Sequence, residues 1–307
     1  MKAAYFMEHG GPEVMRYGDV PDPVAGPGQV LVDVHAASVN GADWKVRSGH
    51  YAAITDFPYI PGRDFSGVVS ALGNGVSDFA IGDAVFGVCE VGQEAAYAEK
   101  VAIRAAIVAS KPDKLTHVEC AAVSLIGLTA LCSVEDTLHL KSGETILIQG
   151  GAGGVASFAI QLSKHIGARV ITSASAANHD YLRRLGADQI IDYNSQDFTQ
   201  AVSGCDAVFD TVGGEVAKRS FAVLRSGGRA AFIASGNTAP ATPRADVASL
   251  RPKVGRDRAH LERIVALVTG GAVRVPEITT YALSDAATAH KVSEGRHLRG
   301  KLVFKVR

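Results

Sequence analysis

The chain divides by the spacing of its apolar positions. Up to about residue 115 they come in short runs set off by glycine and proline. Val30-Leu-Val-Asp-Val-His-Ala36 alternates faces, and Gly67–Gly73 and Asp83–Val88 follow it. Such alternation marks strands with one buried face. Pro21-Asp-Pro-Val-Ala-Gly-Pro-Gly28 marks a turn region, and the segment from Met1 to Met7 reads as a first strand. This half is predicted to be all-β, a partly closed barrel.

From about residue 117 short apolar runs alternate with helix-length segments. Thr145–Ile148, Arg169–Thr172, Gln189–Asp192, Ala207–Asp210 and Arg229–Ile233 read as strands of a parallel sheet covered on both faces. This half is predicted to be a doubly wound nucleotide-binding fold. Nearer the end, a helix over Arg258–Val268 stops at Gly270-Gly271, and a second lies near Asp285–Ser293. Lys301–Val306 alternates as a strand expected to rejoin the first half. The predicted division is residues 1–117 with 273–307 for a discontinuous β domain, and 118–272 for the nucleotide domain.

The sharpest chemical signal follows the 145–148 strand. Gly151-Ala-Gly-Gly-Val-Ala156 fits G-x-G-x-x-G/A, and Val155, Phe158, Ala159, Leu162 and Ile166 recur at helical spacing up to Gly167. Small residues let the backbone approach a pyrophosphate, which sits against the free N–H groups of the helix N-terminus. Gly150, Gly151, Ala152, Gly153, Gly154 and Val155 are therefore candidate dinucleotide contacts. About 20 residues past such a loop, an acid grips the ribose 2′-OH of NAD. Here Thr172–Asn178 holds no carboxylate, and Ser173, Ser175 and Asn178 offer donors to a 2′-phosphate. The expected cofactor is NADP(H).

Composition narrows the remaining classes. The 307 residues are 47% hydrophobic and 20% charged, with 31 basic and 31 acidic side chains. A phosphate-driven nucleic-acid binder shows a basic excess, so that class is disfavoured. The uncharged apolar stretch from Cys120 to Val134 spans 15 residues against the roughly 20 of a membrane span, which argues against insertion. The four cysteines are far apart in sequence, without metal-ligand spacing, and point to reduced thiols and a cytoplasmic setting. Arg251, Lys253, Arg256 and Arg258 are offset by Asp246, Asp257 and Glu262 and read as a solvated face, the alternative being a border of the NADP site or of an acidic substrate.

A set of segments in fixed order resembles the zinc-independent quinone oxidoreductase (zeta-crystallin-like) branch of the medium-chain dehydrogenase/reductase superfamily. They are His9–Val14, Ser38–Lys45, Arg47–Tyr51, Pro61–Gly67, Ala96–Glu99, Gly127–Ala130, the glycine loop, Leu185–Asp188 with Ile191–Tyr193, and Gly300–Val303. The resemblance covers essentially the whole chain. It implies an α/β protein with a GroES-like β-barrel catalytic domain and a Rossmann domain, substrate and nicotinamide meeting between them. Zinc-dependent relatives carry a Cys where this chain has Asn40, and Gly-His-Glu where it has Gly62-Arg63-Asp64, so no metal is expected.

By the same resemblance, Tyr51 is the candidate hydrogen-bond donor to the substrate oxygen, with Asn40 a positioning group. Thr129, Ser235 and Gly236 are expected on the nicotinamide side, and Tyr193 near the adenosine 2′-phosphate. Arg63 and Asp64 read as a structural pair or turn residues. The implied activity is NADPH-dependent reduction of a quinone. Reduction of the C=C bond of an enone, enal or acrylate is the alternative. A non-catalytic NADP(H)-binding or RNA-binding protein is the reading from another class. Relatives in this branch often pair edge to edge as homodimers.

Overall fold

The computed structural model describes every residue except Ala52, Ala53, Val91 and Asn237. The chain begins with β1 (Lys2–Tyr5), β2 (Arg16–Asp19) and β3 (Gln29–Val39), then a short helix, α1 (Gly41–Arg47). It continues through β4 (Asp64–Leu72), β5 (Ala84–Val88), β6 (Lys100–Arg104) and β7 (Val108–Ser110) to α2 (His117–Leu131). Next come β8 (Thr145–Gln149), α3 (Gly154–Ile166), β9 (Arg169–Ala174), α4 (His179–Arg184) and β10 (Gln189–Asp192). They are followed by α5 (Phe198–Ala201), β11 (Cys205–Asp210), α6 (Gly214–Arg219), β12 (Leu224–Phe232) and β13 (Ala248–Leu250). The remaining elements are α7 (Arg258–Thr269), β14 (Ile278–Ala282), α8 (Ala286–Glu294) and β15 (Lys301–Lys305).

Two compact units result, one of Met1–Leu125, Arg256–Ala266 and Val275–Arg307, the other of Ile126–Gly255 and Leu267–Arg274. In the first, β3 is the hub, pairing antiparallel with β4, β6 and β15. Its alternation puts Val30, Val32 and Val34 in the core with Phe65, Tyr97 and Phe304. The strand expected at 301–306 thus does return to the β-rich half. Strands β6 and β7 and helix α1 were not legible from periodicity: α1 spans seven residues, too few for a helical repeat to declare itself.

The second unit is a six-stranded sheet in the order β10-β9-β8-β11-β12-β13, every neighbouring pair parallel. Strand order reverses between β8 and β11, the arrangement of a doubly wound dinucleotide fold. Leu147, Ile171, Val208, Ala230 and Phe232 are buried together with Phe198 and Phe221. That double covering is why the strands lack alternation. Helix α3 buries Phe158, Ala159 and Leu162 and ends at Gly167 in the left-handed conformation.

One expectation needs refinement. Helix α2 with its continuation runs from His117 to Thr137, 21 residues, long and apolar enough by itself to cross a membrane. Its apolar window is 83% buried inside the protein, as suits a core helix.

Candidate active site

Strand β8 ends at Gln149, and the chain turns through the glycine loop into α3. Gly151 N–H donates to the Ser173 carbonyl at 2.9 Å and Gly153 N–H to the Gly150 carbonyl at 3.1 Å, closing the turn. A Cβ at Gly151 would lie 2.2 Å from Thr172 Oγ1 and 3.0 Å from Leu182 Cδ2, so no side chain fits. The N-cap of α3, Gly153, supplies no side-chain hydrogen bond, which leaves the first N–H groups of the helix for an anion. Beside the loop, the Gln149 Nε2 amide is buried without a partner. The residues present therefore fit a pyrophosphate. Gly151 is buried, and Gly150, Ala152, Gly153, Gly154 and Val155 are half-buried.

At the end of β9, Ser173 is buried, and its hydroxyl is committed. It donates to Gln149 Oε1 at 2.5 Å and accepts from Gly150 N–H at 3.2 Å, tying the second strand to the loop. Ser175 Oγ is half-buried and accepts from Asn178 Nδ2 at 3.2 Å, and Tyr193 is exposed. Thr211, after β11, donates to the Gln149 carbonyl at 2.8 Å. Ser235 and Gly236 follow β12 at the same carboxyl end of the sheet, with Ser235 Oγ donating to the Thr238 carbonyl at 2.9 Å. Thr129 is buried in α2.

In the β-rich unit, Asn40 caps α1 and is almost fully occupied. Its Nδ2 donates to Asp64 Oδ1 at 2.9 Å and to the Ser38 carbonyl at 3.3 Å, while its Oδ1 accepts from Lys301 Nζ at 2.8 Å. Lys301 also donates to the Val39 carbonyl at 2.8 Å. Burial pushes the Lys301 ammonium below its ordinary range, and Asp64 and Asp43 oppose this. Burial raises Asp64, against the pull of Lys301, Ser38 and Asn40. Sequence reasoning missed Lys301, which alternates like any strand residue; only the hydrogen bonds of its ammonium to Asn40 and Val39 give it away.

Arg63 is reached through Gly62, whose φ is +98° and whose missing Cβ would fall 2.2 Å from the Tyr97 ring. The Arg63 guanidinium is 5% exposed and lies 5.2 Å below the Tyr51 ring centroid, Tyr51 itself being 37% exposed. Asp43 and Glu94 stand near it at 3.7 and 3.4 Å. Asp43 Oδ2 accepts from Tyr97 Oη at 2.7 Å and from Asn40 N–H at 2.9 Å. Its carboxyl is nonetheless pushed up to about 6, chiefly by burial, with Arg63 and Tyr97 opposing. Tyr59 Oη donates to Glu94 Oε2 at 2.6 Å.

The 251–258 basic segment is not the solvated face expected. Only Lys253 of its four cations is exposed. Arg251 donates to the Phe232 carbonyl at 2.5 Å, and Arg258 to the Val108 and Ala105 carbonyls, both at 2.9 Å. Arg256 is half-buried and lies in the electrostatic reach of Arg63, Glu94 and Cys89. Carbonyls at the ends of strands, invisible to a count of charges, absorb Arg251 and Arg258.

Residues 26–113 match the alcohol dehydrogenase GroES-like domain family, and residues 185–304 match the zinc-binding dehydrogenase family. A quinone oxidoreductase of Pseudomonas aeruginosa is 31% identical, each chain covered over 99% of its length. A 2-methylene-furan-3-one reductase of Solanum lycopersicum is 34% identical over 78% of this chain, and the chain spans 64% of that protein's length. Among solved structures, the quinone oxidoreductase of Coxiella burnetii is 36% identical with a TM-score of 0.91, covering 100% of this chain and 99% of that one. A mycobacterial protein complexed with NADPH is 30% identical with a TM-score of 0.91, both chains covered over 100%.

The positions that bind zinc in metal-dependent relatives do not suit it here. Asn40 Oδ1 already accepts from the Lys301 ammonium, Arg63 has no lone pair to give, and Asp64 accepts from Ser38 Oγ at 2.8 Å and from Asn40.

Proposed function

The chain belongs to the zinc-independent quinone oxidoreductase branch of the medium-chain dehydrogenase/reductase superfamily, and from that premise we propose that it is an NADPH-dependent oxidoreductase that reduces quinones. One observation carries the reading: the glycine loop sits where strand order reverses between β8 and β11, and the β9 end beside it holds no carboxylate. Bound NADPH supplies the hydride. Gly150–Val155 and the N-terminus of α3 hold its pyrophosphate. Ser175, Asn178 and Tyr193 accommodate the 2′-phosphate, while Ser173 acts indirectly by bracing the loop. Thr129, Ser235 and Gly236 border the nicotinamide.

Tyr51 donates a hydrogen bond, and then its proton, to the substrate oxygen on which negative charge develops. Preorganised donors at such an oxygen do the work of a Lewis acid. Asn40, locked between Lys301 and Asp64, is a fixed positioning group. The second reading, reduction of a C=C bond conjugated to a carbonyl, draws support from the tomato relative, whose name specifies a methylene group on a furanone.

We also propose a cytoplasmic homodimer. All four cysteines are buried free thiols, and among the described residues β13 pairs with β12 alone, leaving its outer edge for a second copy. Sedimentation at a mass of two chains supports this; a monomer at micromolar concentration contradicts it.

The deciding experiment follows the loss of reduced-nicotinamide absorbance with NADPH or NADH across ortho- and para-quinones, enones, enals and acrylates. Turnover of quinones with NADPH supports the main reading, and turnover of enones alone moves the activity to alkene reduction. NADPH binding without turnover of any acceptor overturns both.

A further inference from the structure

The β-rich unit holds two guanidinium groups with spare donors near the partly exposed Tyr51. Arg63 Nε and Nη2 are buried and make no hydrogen bond, and Arg256 Nε is likewise buried and unpartnered. The two nearest carboxylates do not fill these donors. Asp43 spends Oδ2 on Tyr97 and the Asn40 N–H, and Glu94 spends Oε2 on Tyr59. Their remaining oxygens stand off from Arg63 at 3.7 and 3.4 Å without hydrogen-bond geometry. An unfilled buried donor costs about 1–3 kcal/mol, and more when charged. Three such nitrogens in one place mark a site completed by something else.

The electrostatics agree. Burial and the neighbouring Arg63 charge both push Arg256 below its ordinary range, and Glu94 only partly offsets them. Asp43 and Glu94 hold Arg63 above its ordinary range against its burial, so Arg256 is the cation that the protein's own carboxylates leave undercompensated. A guanidinium fork matches the planar geometry of a carboxylate. Tyr51 packs its ring over Arg63 at 5.2 Å and is itself 37% exposed, so a ligand held by the arginines lies next to the phenol.

We propose that Arg63 and Arg256 form a carboxylate subsite, and that the substrate is an unsaturated carbonyl compound or quinone bearing a carboxylate. This deepens the oxidoreductase reading and rests on it for the identity of the ligand as substrate. Arg63 stands where metal-dependent relatives place a zinc ligand, so a fixed cation occupies a corner of the site that a metal otherwise commands. The subsite selects among acceptors by charge rather than by ring size.

The test compares 4-oxopent-2-enoate with its methyl ester as acceptors, with NADPH, in the wild-type chain and in Arg256→Gln. The wild type is expected to favour the acid over the ester at least tenfold in kcat/KM, and Arg256→Gln to reduce that ratio at least tenfold. Arg256→Lys, which keeps the charge without the fork, is expected to fall between. An equal kcat/KM for acid and ester in the wild type overturns the proposal, as does a ratio that Arg256→Gln leaves intact. Arg63→Gln is the companion variant, kept second because its buried position makes misfolding a competing result. Calorimetric titration with 4-oxopentanoate, a saturated analogue that cannot turn over, reads the subsite separately. Binding that Arg256→Gln weakens at least tenfold supports the subsite even if no acceptor is reduced, and absence of binding overturns it.

Discussion

Tyr97 donates its phenolic proton to Asp43 Oδ2 at 2.7 Å, with both side chains buried in the β-rich unit. Asp43 in turn accepts the Asn40 N–H, so this one carboxylate fixes both the start of α1 and the residue that caps it. Tyr97 can sit there only because position 62 is glycine. Replacing Tyr97 by Phe strips a buried carboxylate of a donor. The expected cost is about 1–3 kcal/mol, read from urea unfolding midpoints. An unchanged midpoint would show that the bond contributes nothing net.

Gly151→Ala places a methyl group 2.2 Å from Thr172 Oγ1, on a strand with no room to retreat. The loop must shift, and with it the N–H groups that hold the pyrophosphate. NADPH affinity is expected to fall at least tenfold, measured by fluorescence of the reduced nicotinamide. Retained affinity would place the pyrophosphate elsewhere.

Tyr51→Phe keeps the ring over Arg63 and removes the hydroxyl. Turnover is expected to drop by about 10²–10³, the usual effect of losing one oxyanion donor, with NADPH affinity little changed. Equal turnover in both proteins would remove Tyr51 from the chemistry.

His290 is buried in α8, its Nδ1 3.3 Å from Arg47 Nη1 and its Nε2 without a partner. Burial, helped by Arg47, pushes the imidazole down to about 3. Because the folded value lies below the ordinary 6.5, its contribution to stability is complete above pH 6.5 and is lost as pH falls toward 3. Asp43 works in the opposite sense: raised to about 6, it contributes below its ordinary 3.8 and loses that contribution as pH rises through 6. Within the His290 window each pH unit costs up to about 1.4 kcal/mol. Urea midpoints at pH 7 and pH 5 should therefore differ less in His290→Asn than in the wild type; an identical difference would mean another group governs acid sensitivity.

The Rossmann half was legible because its rules are local. An apolar strand, a glycine loop and an amphipathic helix follow one another within 22 residues, from Thr145 to Ile166. The catalytic half was legible only in part. Its strands alternate, but Lys301, Asp43, Arg63 and Arg256 acquire their meaning from partners distant in the chain, and no periodicity marks them. Arg63 reads as a turn residue until burial shows donors with nowhere to go. Ser173 is the converse case: it lies on the strand the motif points to, yet faces inward and braces the loop.

The pairing of β3 with β15 sets an order on how this protein is made. Asn40 and Lys301 are 261 residues apart, and between them lies the whole Rossmann unit. Closing so long a loop is entropically slow unless the intervening chain is already compact. The nucleotide-binding unit is thus placed to fold first and to shorten the span, and the early strands wait for a partner that lies beyond it in the chain. Until then the edge of β3 that β15 will cover stands open, the period in which a nascent chain is most in need of a chaperone.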